Sequence, residues 1–181
     1  MEDYNPQIKI TLGDITQTRV DAIMTAINPA GMWFGGVDRA IERVAGGMYH
    51  AQAAARMPLK NLDVIVAKGD RREHGGQFND VVFVVDALES PVSQVVYKGL
   101  EAAHEKMYNS IAFPAVRMGV MAGVKEKTPK ETVRGIGEGI SLFQKEYGLR
   151  TGLRDLIFVV FRDMQAVGYL QHGFKSQHLL N

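Results

Sequence analysis

Apolar residues along this chain fall into two rhythms that alternate from one end to the other. Ile8-Lys9-Ile10-Thr11-Leu12 switches between apolar and polar positions, the period of a half-buried strand, and stops at Gly13-Asp14. Ala22 to Ile27 predicts a second strand. Val64-Ile65-Val66-Ala67 and Val81-Val82-Phe83-Val84-Val85 are β-branched runs of the kind buried on both faces of a sheet. Ile111-Ala112-Phe113 and Leu156 to Phe161 bring the strands to six. Between the strands the spacing changes to the helical period. Thr128-Pro129-Lys130-Glu131 combines a capping box with proline at the first helical position. Val133, Ile136, Ile140, Phe143 and Tyr147 follow as an apolar stripe, and Gly148 stands where a C-terminal cap belongs. Ser90-Pro91 opens another helix, striped by Val92, Val95, Val96, Leu100, Ala103 and Met107. Val37 to Ala45 is amphipathic as well.

Strand and helix alternating in this way predict an α/β fold. The expected form is a mixed, mostly parallel six-stranded sheet covered on both faces, a three-layer α/β/α sandwich. Residues 1–181 read as one domain with a core over about 8–170, since no repeat or interdomain linker interrupts the pattern. Residues 68–80 read as a charged, glycine-rich solvated connection, and 173–181 as a frayed tail.

Composition narrows the function classes more than it names one. Hydrophobic residues make up 46% of the chain, which excludes a disordered protein. A net charge of +1 gives no global reason to expect nucleic acid or an anionic membrane as partner. With no cysteine there are no disulfides, thiolate metal sites or cysteine nucleophiles, a composition compatible with a reducing cytoplasm. The opening Met1-Glu2-Asp3-Tyr4-Asn5-Pro6 lacks the basic-then-apolar order of a signal peptide, and Leu156 to Phe161 is far too short to span a bilayer. The expectation is a cytoplasmic protein. His50, His74, His104, His172 and His178 lack metal-ligand spacing and read as surface residues, and no metal or cofactor is expected.

In mostly parallel sheets, ligands sit at the carboxyl ends of the strands. Four segments here follow strands: Gly13-Asp14-Ile15-Thr16, Asn28 to Asp38, Pro114 to Gly123, and Phe161-Arg162-Asp163. An aspartate, two glycine-bearing loops and an aromatic ring suit, in turn, a base amino group, two phosphates and a base face. A glycine turn leading into a helix aims backbone N–H groups and the positive helix end at one spot, which suits phosphate. The positions thus propose a nucleotide diphosphate site.

In this order the four segments resemble the macro domain family, the ADP-ribose-binding α/β fold. The likeness runs from roughly Ile8 to Tyr169. Thr11-Leu12-Gly13-Asp14-Ile15-Thr16 looks like the family's "GDIT" opening, and Val20 to Pro29 like its "VDAIVNAANP". Gly35-Gly36-Val37-Asp38-Arg39-Ala40-Ile41 matches the end of "GGGVDxAI", and Ile111 to Val120 looks like "IAFPAISTGV". The resemblance implies that Asp14 accepts from the adenine amino group with the Ile15 backbone beside it. It implies that Gly35, Gly36 and Val37 hold one phosphate and the proximal ribose, and that Gly119, Val120 and Met121 wrap the other. Phe161 stands where many members place a ring against adenine, a contact worth about 1–3 kcal/mol in comparable base–aromatic pairs. Asn28 and Asp38 occupy the positions linked to catalysis in MacroD-type hydrolases.

The chain also departs from the family pattern. Thr25 replaces the first asparagine, Phe34 a glycine, Arg117-Met118 a Ser-Thr pair, and Met121 a common aromatic. Structural roles compete with functional ones at each position. Asp14 also suits a turn cap, Asp38 a helix-dipole partner, Asn28-Pro29 a turn initiator, Phe161 and Trp33 core packing, and Arg117 a solvated loop cation. Gly135-Ile136-Gly137-Glu138-Gly139 misses the dinucleotide-fingerprint spacing and lies within a helical pattern. The implied function is binding of ADP-ribose with hydrolysis of mono-ADP-ribosyl esters, on proteins or as O-acyl-ADP-ribose. The alternatives are a non-catalytic reader of ADP-ribose or a related nucleotide, and an RNA-associated regulatory protein.

Overall fold

The computed structural model describes residues 5–33 and 35–181; Phe34, with the glycine replacement read there, lies outside them. Six strands form one sheet: β1 (Gln7–Leu12), β2 (Val20–Ile27), β3 (Val64–Ala67), β4 (Phe78–Val85), β5 (Ser110–Phe113) and β6 (Asp155–Val160). Their spatial order is β1-β6-β5-β2-β4-β3, parallel throughout except for the β3–β4 pair. The helices are α1 (Gly36–Ala45), α2 (Met48–Ala54), α3 (Val92–Glu105), α4 (Pro129–Tyr147) and α5 (Met164–Ser176).

Successive strand residues point to opposite faces, and both faces are covered. Met24, Val82, Val84, Ile111, Phe113, Leu156 and Phe158 pack into one core with α3, α4 and α5. Ile23, Ile27, Val81, Phe83, Val85 and Ala112 pack into the other with Ile41 of α1 and Tyr49 and Ala53 of α2. The expected three-layer sandwich is therefore present. Each fully buried Val, Leu, Ile or Phe contributes about 1.5–3 kcal/mol, and the interior strands β2 and β4 carry long buried runs.

Polar contacts at the starts of the strands align their ends. Asp21 Oδ2 accepts from the Asn109 and Ser110 N–H groups at 2.7 and 3.1 Å, and Ser110 Oγ accepts from Asp21 N–H at 2.9 Å. These bonds lock the beginning of β5 to the beginning of β2 in the register that pairs Ala22 with Ile111 and Ile23 with Ala112, and both strands run toward the same edge. On the same edge the buried Asp80 accepts from Lys68 Nζ, Gly69 N–H and the Tyr108 hydroxyl.

Helix α4 starts at the cap its sequence foretells, with Thr128 Oγ1 accepting from Glu131 N–H at 3.2 Å; the reciprocal bond differs from a capping box, because Glu131 Oε2 accepts from Lys127 N–H at 2.9 Å, one residue before the cap. Three local expectations are corrected. The tail is not frayed at 173, because α5 continues to Ser176 and buries Phe174 completely. Met107 does not join the α3 stripe; the helix has ended, its φ is +57°, and it is 83% exposed. Residues 78–80, assigned to the loop, are the first turnless stretch of β4, with Phe78 filling the core. Among the described residues no helix is long and apolar enough to cross a membrane.

Candidate functional site

Four adjacent parallel strands, β1, β6, β5 and β2, end on one edge, so the four strand-end segments line up there in the order Gly13–Thr16, Phe161–Asp163, 114–123 and 28–38. At about 4.8 Å per strand, the row from β1 to β2 spans roughly 14 Å. It is an elongated edge whose two ends differ chemically.

At the β1 end, Gly13 N–H donates to Val160 O at 2.9 Å, which places Asp14 beside Phe161. Asp14 caps the short 3-10 turn Ile15–Gln17, its Oδ1 accepting from Thr16 N–H at 2.9 Å and Thr16 Oγ1–H at 2.7 Å. The cap uses one carboxylate oxygen, and the other makes no hydrogen bond among the described residues. The Ile15 side chain is buried in the core. Phe161 is 66% exposed, so core packing does not account for it; the Arg162 guanidinium lies 4.9 Å from its ring centroid.

In the middle, the backbone from 119 to 121 is open. Gly119 N–H, Val120 N–H and Met121 N–H have no acceptor among the described residues, whereas the next group, Ala122 N–H, donates to Gly119 O at 3.0 Å. Val120 is 92% exposed, and nothing lies within 4 Å of a Cβ built on Gly119. Consecutive unpaired N–H groups in a turn make a concave anion site. The loop stands on Arg117, which the sequence presents as a solvated cation and the structure buries to 3% side-chain exposure. Its guanidinium grips Asp86 through Nε and Nη2 at 3.0 and 2.7 Å, Glu126 through Nη1 at 2.9 and 3.0 Å, and Ser90 O at 2.8 Å. Burial works against the charge on Arg117, yet the two carboxylates hold its pKa above the ordinary value. Burial likewise pushes Glu126 upward, but the Val92 N–H and the Arg117 guanidinium outweigh it and hold the carboxyl below its usual value. A cavity of about 170 Å³ behind this loop is lined by Met118, Gly123, Thr132, Asp163 and Tyr169 among others, and none of Asp14, Asn28 or Asp38 reaches it.

At the β2 end, Gly35 is the N-cap of α1 and supplies no side-chain cap, so among the described residues the first-turn N–H groups have no acceptor. Val37 packs its side chain partly against the core, and Gly36 has open space around it. The Asn28 side chain pins its own turn: Oδ1 accepts from Ala30 N–H and Met32 N–H at 3.0 and 3.4 Å, and Nδ2 donates to Met32 O. Trp33 is buried, as core packing predicts, with Nε1–H donating to Asn28 O at 2.9 Å. Thr25 is buried in β2. Asp38 sits in the first turn of α1, where the helix dipole favours a carboxylate, and is buried against His50 of α2, with Nε2 2.9 Å from Oδ1. His50 is thus not a surface residue, because it hydrogen-bonds a carboxylate that would otherwise be buried without a partner. Sequence reasoning missed it: twelve positions separate it from Asp38, on another helix. Among the described residues no three acidic or histidine side chains gather as a metal site would require.

No protein-family model matches the chain. Individual proteins do. An O-acetyl-ADP-ribose deacetylase of Klebsiella pneumoniae is 31% identical over 182 residues, covering 90% of this chain and 94% of that protein. One from Citrobacter rodentium is 32% identical over 156 residues, 76% of this chain and 82% of its own. Among solved structures, the Trypanosoma brucei macrodomain in complex with ADP-ribose superposes with a TM-score of 0.75 at 22% identity, covering 92% of this chain and 68% of that one. The Oceanobacillus iheyensis macrodomain with ADP gives 0.70 at 22% identity over 97% and 94%.

Proposed function

The chain belongs to the macro domain family, and from that premise we propose that it binds ADP-ribose along this edge and hydrolyses mono-ADP-ribosyl esters, on proteins or as O-acyl-ADP-ribose. The observation that carries the proposal is the run of unpaired N–H groups at Gly119, Val120 and Met121. It lies between an exposed aromatic ring beside a carboxylate at one end and a buried carboxylate at the other. Adenine belongs at the first end, with its amino group on the free oxygen of Asp14 and its face on Phe161. The pyrophosphate then lies between the 119–121 backbone and the Gly35, Gly36 and Val37 N–H groups, and the distal ribose reaches Asn28 and Asp38. The relatives named as O-acetyl-ADP-ribose deacetylases support this choice of substrate.

The chemistry follows from what each group can do. Bound pyrophosphate fixes the reacting end of the substrate, which removes most of the entropic cost of meeting a water molecule. Asp38 accepts a hydrogen bond from that water or takes its proton as the ester bond is attacked. The hydroxyl of water goes to the acyl carbon, and the ribose oxygen leaves with a proton. Asn28 has already committed one amide hydrogen to Met32 O; its second is the group available to a ribose hydroxyl. The protein acts as one macro domain in the cytoplasm, a placement supported by the absence of cysteine.

Calorimetry with ADP-ribose comes first: saturable heat below millimolar ligand is expected, and silence there removes both hydrolase and reader. Release of ADP-ribose from a mono-ADP-ribosylated protein, compared between wild type and Asp38→Ala, comes second. General-base loss of about 10²–10⁴-fold is expected; equal rates leave a reader.

A further inference from the structure

We infer that His50 is a positioning residue for the hydrolysis proposed above: it holds Asp38 in the orientation the reaction needs, and Trp33 holds His50. This role rests on the proposed function of Asp38. His50 and Asp38 come from different helices, α2 and α1, and their side chains are only 8% and 9% exposed. Asp38 as a carboxylate can only accept, so the proton between them sits on His50 Nε2. That bond takes Oδ1. The other oxygen, Oδ2, lies 3.6 Å from where a Cβ on Gly35 would project, on the side of the phosphate-facing helix start. One oxygen is therefore tethered to the core and the other is turned toward the loop.

The imidazole is itself held by rings. Trp33 and Phe83 pack against it, with centroids 5.7 and 5.1 Å away. Trp33 in turn donates to the Asn28 carbonyl. Asn28 and Asp38, the two ends of the segment, are thus joined through an indole and an imidazole rather than along the chain. Stability alone does not account for the histidine. Its Nδ1 is buried with no hydrogen-bond partner among the described residues, and buried polar atoms are nearly always satisfied. An apolar pair of similar volume would fill the same space without that cost. What the imidazole adds is a directed donor to one oxygen of Asp38.

The test uses O-acetyl-ADP-ribose as substrate and the whole chain in four forms: wild type, Asp38→Ala, His50→Gln and His50→Asn. Glutamine places its amide nitrogen near the Nε2 position and keeps the donor to Asp38, whereas asparagine reaches only the Nδ1 position. A misplaced reacting group costs on the order of 10²-fold, so His50→Asn is expected to lose about that much kcat with KM and the ADP-ribose Kd unchanged, and His50→Gln to recover most of it. Equal kcat in His50→Gln and His50→Asn overturns the role, and so does parallel loss of kcat and ADP-ribose affinity, the mark of a merely structural residue. If Asp38→Ala turns over as fast as wild type while binding ADP-ribose, the hydrolase proposal has failed at Asp38 and the role of His50 falls with it. If Asp38→Ala is inactive and His50→Asn is not, only the role of His50 fails.

Discussion

Replacing Arg117 by methionine tests whether the 119–121 loop is held by a buried charge cluster. Methionine keeps much of the aliphatic volume and removes the cation. Asp86 and Glu126 are then left facing each other, with side chains 6% and 13% exposed. Removing one member of a buried ion pair costs about 3–5 kcal/mol, because the remaining charge stays desolvated. The two pairs share one guanidinium, so their losses do not add, and the same range applies to both together. In a chain of this size each kcal/mol lowers Tm by about 2–4 °C, which puts the expected fall at roughly 6–20 °C at pH 7. The sign with pH is fixed by Glu126. Its carboxyl is held below the usual value in the folded protein, so its contribution is complete above the unfolded-state value of about 4.3 and is lost as pH falls through the folded value. In Arg117→Met the same carboxyl is buried without its cation, and protonation relieves it. The unfolded state is common to both proteins, so the difference is largest near neutrality and narrows as pH falls from the raised value of this carboxyl in Arg117→Met toward its lowered value in the wild type. Urea denaturation of both proteins at pH 7 and at pH 4 measures it. A deficit under about 1 kcal/mol at pH 7, or one that widens on acidification, refutes the account.

Two further substitutions separate binding from stability. Phe161→Ala removes an exposed ring and is expected to leave Tm unchanged while weakening ADP-ribose binding by about 1–3 kcal/mol, roughly 5- to 150-fold in Kd; an unchanged Kd by calorimetry denies the ring its place against adenine. Gly139→Ala does the reverse: a Cβ there would meet Ser93 O at 2.4 Å and Val96 Cβ at 3.1 Å between α3 and α4. The overpacking is expected to cost about 1–3 kcal/mol of stability with ADP-ribose affinity intact, and a wild-type melting curve contradicts the close approach.

The elements of the fold were legible because they are written in local pattern. All six strands, whether alternating or continuous β-branched runs, and the two helices with capped or proline-marked starts carry a local signal, and tertiary packing moved their boundaries by only a few residues. The exceptions have physical causes. Phe174 lies in a stretch without a clear apolar period, yet it fills the core against Phe158, with centroids 5.2 Å apart. Met107 fits the α3 period but follows a residue where the chain has already left the helix. At the candidate site, the placement of Asp14, Gly35, Gly119 and Phe161 along one edge was legible because it follows from where the strands stop. Arg117 and His50 were not, since burial of a charge depends on partners that the sequence places elsewhere: Asp86, 31 residues before Arg117, and Asp38, 12 before His50.

Those two residues share a design that would let this chain keep the proposed binding despite its departures from the family pattern. The groups proposed to meet the phosphates are backbone N–H donors, which are indifferent to side-chain identity but demand that the loop keep its shape. The middle loop and the one at the β2 end are each fixed from below by one buried basic side chain bonded to carboxylates: Arg117 to Asp86 and Glu126 under the 119–121 turn, His50 to Asp38 at the start of α1. Arg117 stands where the family has a small hydroxyl residue, and its αL backbone, φ +57°, turns the chain so that its own side chain goes inward while Gly119 to Met121 stay outside. A side chain lost from the ligand-facing surface is thereby replaced by one that braces the surface from within. The proposed binding through backbone groups would survive such an exchange, whereas the proposed turnover depends on where one oxygen of Asp38 points, a direction His50 constrains through its bond to the other.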